Sequence, residues 1–415
     1  MVAKILFFPA EIGLAHIARS LAVAEACQRR GHDVVVALPK RKISSLPAVK
    51  LRIVEVEPMV DQESMAVIED HFQPGFLERL TQSDRAIIET EKPDLVVFDF
   101  RFSALLAATL TKTPVVSIAN STSVMVPHQW PAFSAVEPLR SLSRLFILSV
   151  NRRVQQKLIT EFGRALSSFS QQFDMAHILQ TVFTIVPEHS GYMPTSKPVK
   201  HLHYVQSLEW TGFFQSPPRW LGSLQKDHPT VYLSFGGTGF SPTKLLELAN
   251  ALVASEYQVI VSTGSIADPE MFPKHPRLFV EKYLDVEKIL SHVDVVVCHG
   301  GYGTLSQAAR FAKPVVSVPF NPDQMIHGLR FQELGLGKCL FHFDVWSAWN
   351  LVRFQWDDFK VVGESVSVKK VVEAVGVVIV KREQFAKQAE LQKQNFASDQ
   401  SAQKAARLLE TFLET

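Results

Sequence analysis

The chain has 415 residues, with 43 lysine and arginine side chains against 41 aspartate and glutamate side chains, so its net charge is only +2. This length exceeds what one hydrophobic core usually organises, so two domains are expected. The near balance of charges argues against a dominant nucleic-acid-binding surface. The three cysteines lack metal-ligand spacing and are interpreted as reduced thiols, which favours a cytoplasmic location.

The N-terminal sequence MVAKILFFPAE contains too short an apolar stretch for a signal peptide, and it is interpreted as a first strand. No run of about 18 apolar residues follows, so no membrane span is predicted.

The first half of the chain alternates strand and helix patterns. A strand at 4–8 precedes a helix with Ile17, Leu21 and Ala24 on one face, and a strand at 33–38 follows. A strand, helix, strand unit of this length implies a right-handed parallel crossover. Further strands are predicted at 51–56, 94–100, 115–119, 183–186 and 202–205.

Two polar residues follow strands of this predicted sheet. His16 comes after the first strand, and Asp99 closes the strand at 94–100. The carboxyl ends of parallel strands share one edge, so Asp99 can lie near the His16 loop. Taken alone, His16 would more often be a helix-start or surface histidine than a catalytic one, and Asp99 is equally a cap of the next helix, so these interpretations stay open.

The region 126–173 is predicted to be helical, with apolar residues interleaved with arginines and lysines. Such a face can dock on an anionic membrane or pack as core with a solvated basic edge. The region 59–76 has no regular pattern.

The second half repeats the alternation, with strands predicted at 230–235, 257–263, 278–283, 295–298 and 314–320. Glycine-rich turns follow two of them, at 236–239 and 299–303. Glycine lets the backbone approach a ligand, and a helix after such a turn presents N–H groups to an anion such as a diphosphate. An ordinary tight turn of a doubly wound sheet is the alternative.

The stretch 298–324, CHGGYGTLSQAARFAKPVVSVPFNPDQ, resembles the nucleotide-sugar-dependent glycosyltransferases of the GT-B fold, family 1 type, whose signature runs from HGGxGT to a final DQ. Gln307 stands where that family usually has glutamate, and Ala312 where it usually has glycine. The stretch GLAHIARSLAVAEACQRRGHDV, residues 13–34, is similar to the N-terminal motif of the same superfamily.

The resemblance implies an α/β GT-B fold: two Rossmann-like doubly wound domains facing a cleft, with a C-terminal helix crossing back to the first domain. The implied divisions are an acceptor-binding domain at 1–206, a linker at 207–227, a nucleotide-sugar-binding domain at 228–382 and the returning helix at 383–415.

The same resemblance implies roles for individual residues. His16 would be the general base, with Asp99 as its partner, and His32 would be structural. Groups implied to bind the donor are Gly236, Gly237, Thr238, Val280, Tyr283, His299, Gly300, Gly301, Gly303, Thr304, Gln307, Asp323 and Gln324. No metal or resident cofactor is expected.

The expected activity is inverting transfer of a hexose, from a UDP-hexose or another nucleotide sugar, to a small apolar acceptor. Three alternatives remain. The first is transfer to a membrane lipid, with peripheral contact through about 126–173 at the inner face of the membrane. The other two are hydrolysis of the nucleotide sugar and a catalytically silent binding protein. The aromatic segment 341–359 matches no motif.

Overall fold

The computed structural model describes residues 2–12, 14–44, 49–59, 75–124, 139–166, 173–195, 199–210, 217–237, 240–340 and 365–415, with the single residues 46, 131, 169 and 212. Contacts divide the chain into two units. The first consists of Met1–Gln129, Val154–Phe213 and Ala397–Thr415. The second consists of Trp130–Arg153 and Phe214–Phe396.

The first unit is built on a parallel sheet. Its strands are β1 (Lys4–Pro9), β2 (Asp33–Leu38), β3 (Arg52–Glu55), β4 (Leu95–Asp99), β5 (Val115–Ile118), β6 (Phe183–Val186) and β7 (Leu202–Tyr204). They lie in the order β3-β2-β1-β4-β5-β6-β7. The order reverses between β1 and β4, where Pro9 is in register with Asp99. Ligands of open α/β sheets bind at the carboxyl ends of such a strand pair.

The second unit has the same design. Its strands are β8 (Thr230–Ser234), β9 (Gln258–Ser262), β10 (Leu278–Glu281), β11 (Val295–Cys298), β12 (Val315–Ser317) and β13 (Gly337–Cys339). They lie in the order β10-β9-β8-β11-β12-β13, all parallel. The reversal falls between β8 and β11, where Ser234 is in register with Cys298. Both glycine-rich turns therefore leave the same point of this sheet.

Helices connect the strands in both units. The described helices are α1 (Ala15–Arg29), α2 (Lys40–Ile43), α3 (Phe76–Glu91), α4 (Phe102–Thr111), α5 (Leu139–Ala165), α6 (Met175–Thr181), α7 (Pro242–Ala254), α8 (Val286–Leu290), α9 (Tyr302–Arg310), α10 (Pro322–Glu333), α11 (Val368–Val380), α12 (Arg382–Gln392) and α13 (Ser401–Leu413). None of these helices has the length and hydropathy needed to cross a bilayer.

The central strands are short runs rich in valine, isoleucine and leucine because both of their faces are covered. All four residues of β11 are buried, and so are the last five of β2. Sheets that bury both faces need such continuous apolar runs. These two helix-covered parallel sheets confirm the α/β fold class predicted from the sequence.

His32 lies where the first helical crossover enters β2. Its Nδ1 accepts the Ala3 N–H at 3.2 Å, and its Nε2 lies 3.0 Å from Glu410 Oε1 on α13. The ring therefore ties α13 to the sheet of the first unit.

Some elements differ from the expectations or were not predicted. The three-residue β13 and the helices α3 and α11 had no predicted counterpart. The helical segment expected at 383–415 is two helices, α12 and α13, with a 3₁₀ turn at Lys393–Phe396 between them, and α13 packs on α1. The aromatic segment 341–359 and most of the segments 59–76 and 126–138 lie outside the described residues.

Candidate functional site

The reversal point of the first sheet brings His16 and Asp99 together. His16 lies in the first turn of α1, directly after the loop from β1, and Asp99 is the last residue of β4. His16 Nδ1 is 2.7 Å from Asp99 Oδ1. The His16 side chain is 22% exposed, whereas that of Asp99 is only 1% exposed. A buried carboxylate thus holds a histidine that solvent can reach.

Arg19, one turn further along α1, binds the same carboxylate. Its Nε donates to Asp99 Oδ2, and one terminal nitrogen donates to Asp99 Oδ1 at 2.5 Å. The other terminal nitrogen donates to Oδ1 of Asn120, which follows β5. Arg19 was not predicted from the sequence. The available signal was its spacing of three residues from His16, which places both on one helix face.

These contacts set the charge of Asp99. Burial alone would raise the pKa of the Asp99 carboxyl. The positive charge of Arg19, together with His16 and hydrogen bonds from both, outweighs burial and holds that pKa below its ordinary value. Asp99 is therefore ionised at neutral pH.

Apolar side chains border the dyad. The Phe100 ring stacks on His16, with centroids 5.5 Å apart and planes 26° apart. Phe100 adopts a φ of +58°, an uncommon value for a bulky residue, and it packs with Ile12 and Phe76 against buried Met59. Strained backbone of this kind clusters at functional sites.

A buried ionic network fixes the loop between β1 and α1. Glu11 accepts the Met59 N–H at 2.7 Å and an Arg41 N–H at 3.0 Å. Fully buried Arg101 pairs with Asp84 through two hydrogen bonds of 2.9 and 2.7 Å. Glu11 after β1 and Arg101 after β4 are thus each held by an ion pair.

In the second unit the two glycine-rich turns meet at His299. A Cβ on Gly236, whose φ is +65°, would lie 3.3 Å from the His299 ring, and one on Gly301 would lie 2.5 Å from Nε2. Only glycine permits this approach of backbone to ring. Gly237 is similarly close to Ser265, while Thr238 lies outside the described residues.

His299 is neutral at pH 7. Burial lowers the pKa of its ring, although the backbone of Ser234 and the charge of Asp323 act in the opposite direction. A neutral imidazole can donate one hydrogen bond to a phosphate oxygen without carrying a buried charge.

The helix α9 begins directly after this turn. Gly301 is its N-cap, and Gly303 and half-buried Thr304 stand in its first turn, where backbone N–H groups lack helical partners. Gln307 is half-buried one turn later. This arrangement can bind an anion through backbone groups and the helix dipole.

The segment after β12 packs on the same turn. Gly300 has a φ of +89°, and a Cβ there would meet the Gln324 carbonyl oxygen at 2.7 Å. Gln324 is 4% exposed and its Oε1 accepts the Phe320 N–H at 2.8 Å. Asp323 is 45% exposed in its side chain and lies 3.4 Å from His327 Nε2. Asp323 is thus the more accessible of the two predicted sugar ligands.

Val280 lies on β10, at the edge of the described sheet. Arg277 and Glu281 direct their carbonyl groups to β9. The N–H and C=O groups of successive residues in a parallel strand point to opposite sides of the strand, so those of Val280 point away from β9. Tyr283, beyond the strand end, is 43% exposed. Within the sheet, β9 separates Val280 from β8.

Comparison with known proteins finds one similar family domain, one similar relative and two similar solved structures. Residues 234–345 match the glycosyltransferase family 28 C-terminal domain. A PGL/p-HBAD biosynthesis rhamnosyltransferase of Mycobacterium bovis is 27% identical over 358 residues, which cover 81% of this chain and 76% of that protein. Two solved structures share the whole fold.

One is the spinosyn forosaminyltransferase SpnP, with a TM-score of 0.66 and 20% identity over 100% of both chains. The other is the Streptomyces sp. SF2575 glycosyltransferase SsfS6 in complex with thymidine diphosphate, with a TM-score of 0.60 and 18% identity over 99% of both chains.

Proposed function

We propose that this chain, which has the GT-B fold and is similar to glycosyltransferases, moves a hexose from a nucleotide sugar to a hydroxyl of a small apolar acceptor. The observation that carries the proposal is the contact of His16 Nδ1 with buried Asp99. With Nδ1 bound to the carboxylate, Nε2 is the nitrogen that would accept a proton.

The first unit would bind the acceptor. His16 Nε2 would remove the proton from the acceptor hydroxyl as its oxygen attacks the anomeric carbon, and ionised Asp99 would stabilise the resulting imidazolium. A single displacement of this kind inverts the anomeric centre. The stacked Phe100 ring and its apolar neighbours favour an acceptor with an apolar body next to the reacting hydroxyl.

The second unit would bind the donor. The diphosphate would contact neutral His299, the N–H groups of Gly300, Gly301 and Gly303, and the Thr304 hydroxyl, so that no metal is required. Asp323 would accept hydrogen bonds from sugar hydroxyls, with Gln324 holding the turn, and the outward Val280 backbone would bind the base. UDP-hexose is the expected donor, while the neighbour with bound thymidine diphosphate supports a dTDP-sugar as the second candidate.

The base assignment predicts a large loss of rate in His16→Ala. General-base catalysis contributes about 10²–10⁴-fold, so kcat should fall by that factor under conditions where chemistry limits turnover. Exposed His177 on α6 offers a control, and His177→Ala should keep the wild-type rate. If His16→Ala retained more than about a tenth of the wild-type rate, the assignment would be wrong.

A donor panel tests the reaction class. UDP-, dTDP- and GDP-sugars are incubated with the protein in EDTA without acceptor, and the melting temperature and nucleotide release are followed. A donor at a hundred times its dissociation constant stabilises the protein by about 2.7 kcal/mol. We expect a shift with one nucleotide and negligible release. Rapid release would instead indicate a hydrolase, and no shift with any donor would contradict the proposed donor site. Nucleotide release that begins only when liposomes are added would indicate a lipid acceptor.

A further inference from the structure

Two side chains of α1 bind one carboxylate. Asp99 Oδ1 lies 2.7 Å from His16 Nδ1 and 2.5 Å from a terminal nitrogen of Arg19. The Arg19 Nε donates to the other Asp99 oxygen, and its second terminal nitrogen donates to Asn120. One guanidinium therefore joins α1 to the carboxyl ends of both β4 and β5.

A buried carboxylate needs a positively charged neighbour, because burial disfavours its ionised form. His16 cannot be that neighbour in the resting state, since it must be neutral to accept a proton. Arg19 remains protonated throughout the accessible pH range and is 11% exposed in its side chain. It therefore supplies the positive charge before any proton moves.

Other charged groups at this edge of the sheet have contacts of their own. Glu11 binds Arg41, Arg101 binds Asp84, and Glu188 beyond β6 accepts hydrogen bonds from Ser121. Against the effect of burial, the charge of Arg19 makes the largest contribution that lowers the pKa of Asp99.

We propose that Arg19 is a positioning residue that keeps a proton off the His16–Asp99 pair, so that His16 Nε2 stays available as a base at neutral pH. This inference rests on the proposed function, because it requires His16 to be the base. Without Arg19, the pair would bind a proton at higher pH to neutralise the buried carboxylate.

That proton removes the base whichever partner carries it. A protonated His16 has no lone pair on Nε2. A protonated Asp99 donates to Nδ1, and the hydrogen of the neutral ring then sits on Nε2. The protonated pair is therefore inactive in either arrangement.

The test is the pH dependence of kcat/KM in Arg19→Gln, measured from pH 5 to pH 10. The low-pH limb should move to higher pH by about 1–3 units, since that is the usual effect of removing an opposite charge at this distance. Activity should therefore recover toward the wild-type value as the pH rises. Arg19→Lys keeps the charge but loses the fork that spans Asp99 and Asn120, so its limb should stay near that of the wild type while kcat falls.

Arg29→Gln is the matched control, because Arg29 lies on the same helix, is 56% exposed and pairs only loosely with Glu25 at 3.4 Å. Its profile should superimpose on that of the wild type. A uniform loss across all pH values in Arg19→Gln, with an unmoved limb, would overturn the inference.

The His16→Ala variant separates failure of the proposed function from failure of the positioning role of Arg19. If His16→Ala stays active, the proposed function fails at its base. If His16→Ala is inactive but the Arg19→Gln limb is unmoved, only the role of Arg19 fails.

The double variant Arg19→Gln/Asp99→Asn buries no unpaired charge. It should fold even if Arg19→Gln does not. The low-pH limb of its kcat/KM profile should not move to higher pH. An alkaline shift in the double variant, or a double variant that also fails to fold, would contradict the proposed charge pairing.

Discussion

His299 occupies a space that its glycine neighbours leave open. A Cβ on Gly301 would lie 2.5 Å from Nε2 of the ring, whereas a Cβ on Gly303 would have no atom within 4 Å. Neither glycine has a positive φ, so the two positions differ mainly in the space around them. They form a matched pair for testing how closely backbone and ring must approach.

We predict that Gly301→Ala forces the His299 ring to shift. Overpacking of this kind costs about 1–3 kcal/mol, and it should lower the denaturant midpoint and weaken nucleotide binding. Gly303→Ala adds a methyl group in open space on a helix and should raise stability by up to about 1 kcal/mol. Chemical denaturation measures both effects, and equal stability of the two variants would show that the ring is not confined.

Site residues could be predicted where the residues that identify them lie close together in the sequence. The glycines, His299 and Asp323 fall in one continuous stretch, and His16 and Asp99 each follow a strand, so pattern and resemblance located them. Arg19 gave no such signal, because its role depends on Asp99 and Asn120, which lie about 80 and 101 residues away. Only the folded sheet brings these three groups together.

At the scale of elements, α13 is joined to the α1–β2 turn by Glu410. Arg30 donates to both Glu410 oxygens, at 2.7 and 2.5 Å, and His32 lies 3.0 Å away. Hydrogen bonding from Arg30, with a smaller contribution from His32, outweighs partial burial and lowers the pKa of Glu410 to about 2. The carboxylate therefore stabilises the folded state as long as it is ionised.

Glu410→Gln should lower the free energy of unfolding by about 1 kcal/mol at pH 7, the upper end for a partly exposed pair. The folded pKa lies below the unfolded one, so this contribution is complete above about pH 5 and is lost as the pH falls toward 2. Denaturation of both proteins between pH 7 and pH 3 should show the difference shrinking. Glu414→Gln, at the end of the same helix, is the control, and a difference independent of pH would rule out the ion pair as its source.

Elements were predictable where their apolar patterns are long. The valine-rich β2 and β11 are examples, because burial on both faces dictates their sequences, and α1 is another, because it is buried over most of its surface. The strand β13 is only Gly337–Cys339, too short for any periodicity. It forms because β12 offers a parallel partner, with Val315 in register with Gly337.

At the scale of the whole molecule, each unit has its own hydrophobic core. One core of the first unit joins α1, the β1 and β2 strands and the α13 residues Ala405, Ala406 and Leu409. The core of the second unit joins β8, β9, β11, α7 and α11. Length alone predicted two domains. The return of the segment 383–415 to the first domain was implied only by resemblance, because no local pattern specifies a distant packing partner. In the structure, residues 397–415 belong to the first unit and α12 belongs to the second.

Separate cores imply that damage to one unit should open that unit first. Leu409 is fully buried against α1, so Leu409→Ala should cost about 2–5 kcal/mol. Hydrogen exchange should then speed up in β1, β2 and α1 and stay unchanged in β8, β11 and α9. Leu391 on α12 is 67% exposed, and Leu391→Ala, the same chemical change, should stay within about 0.5 kcal/mol of the wild type. Equal acceleration of hydrogen exchange in both units would mean that the whole chain unfolds cooperatively and that α13 stabilises both units.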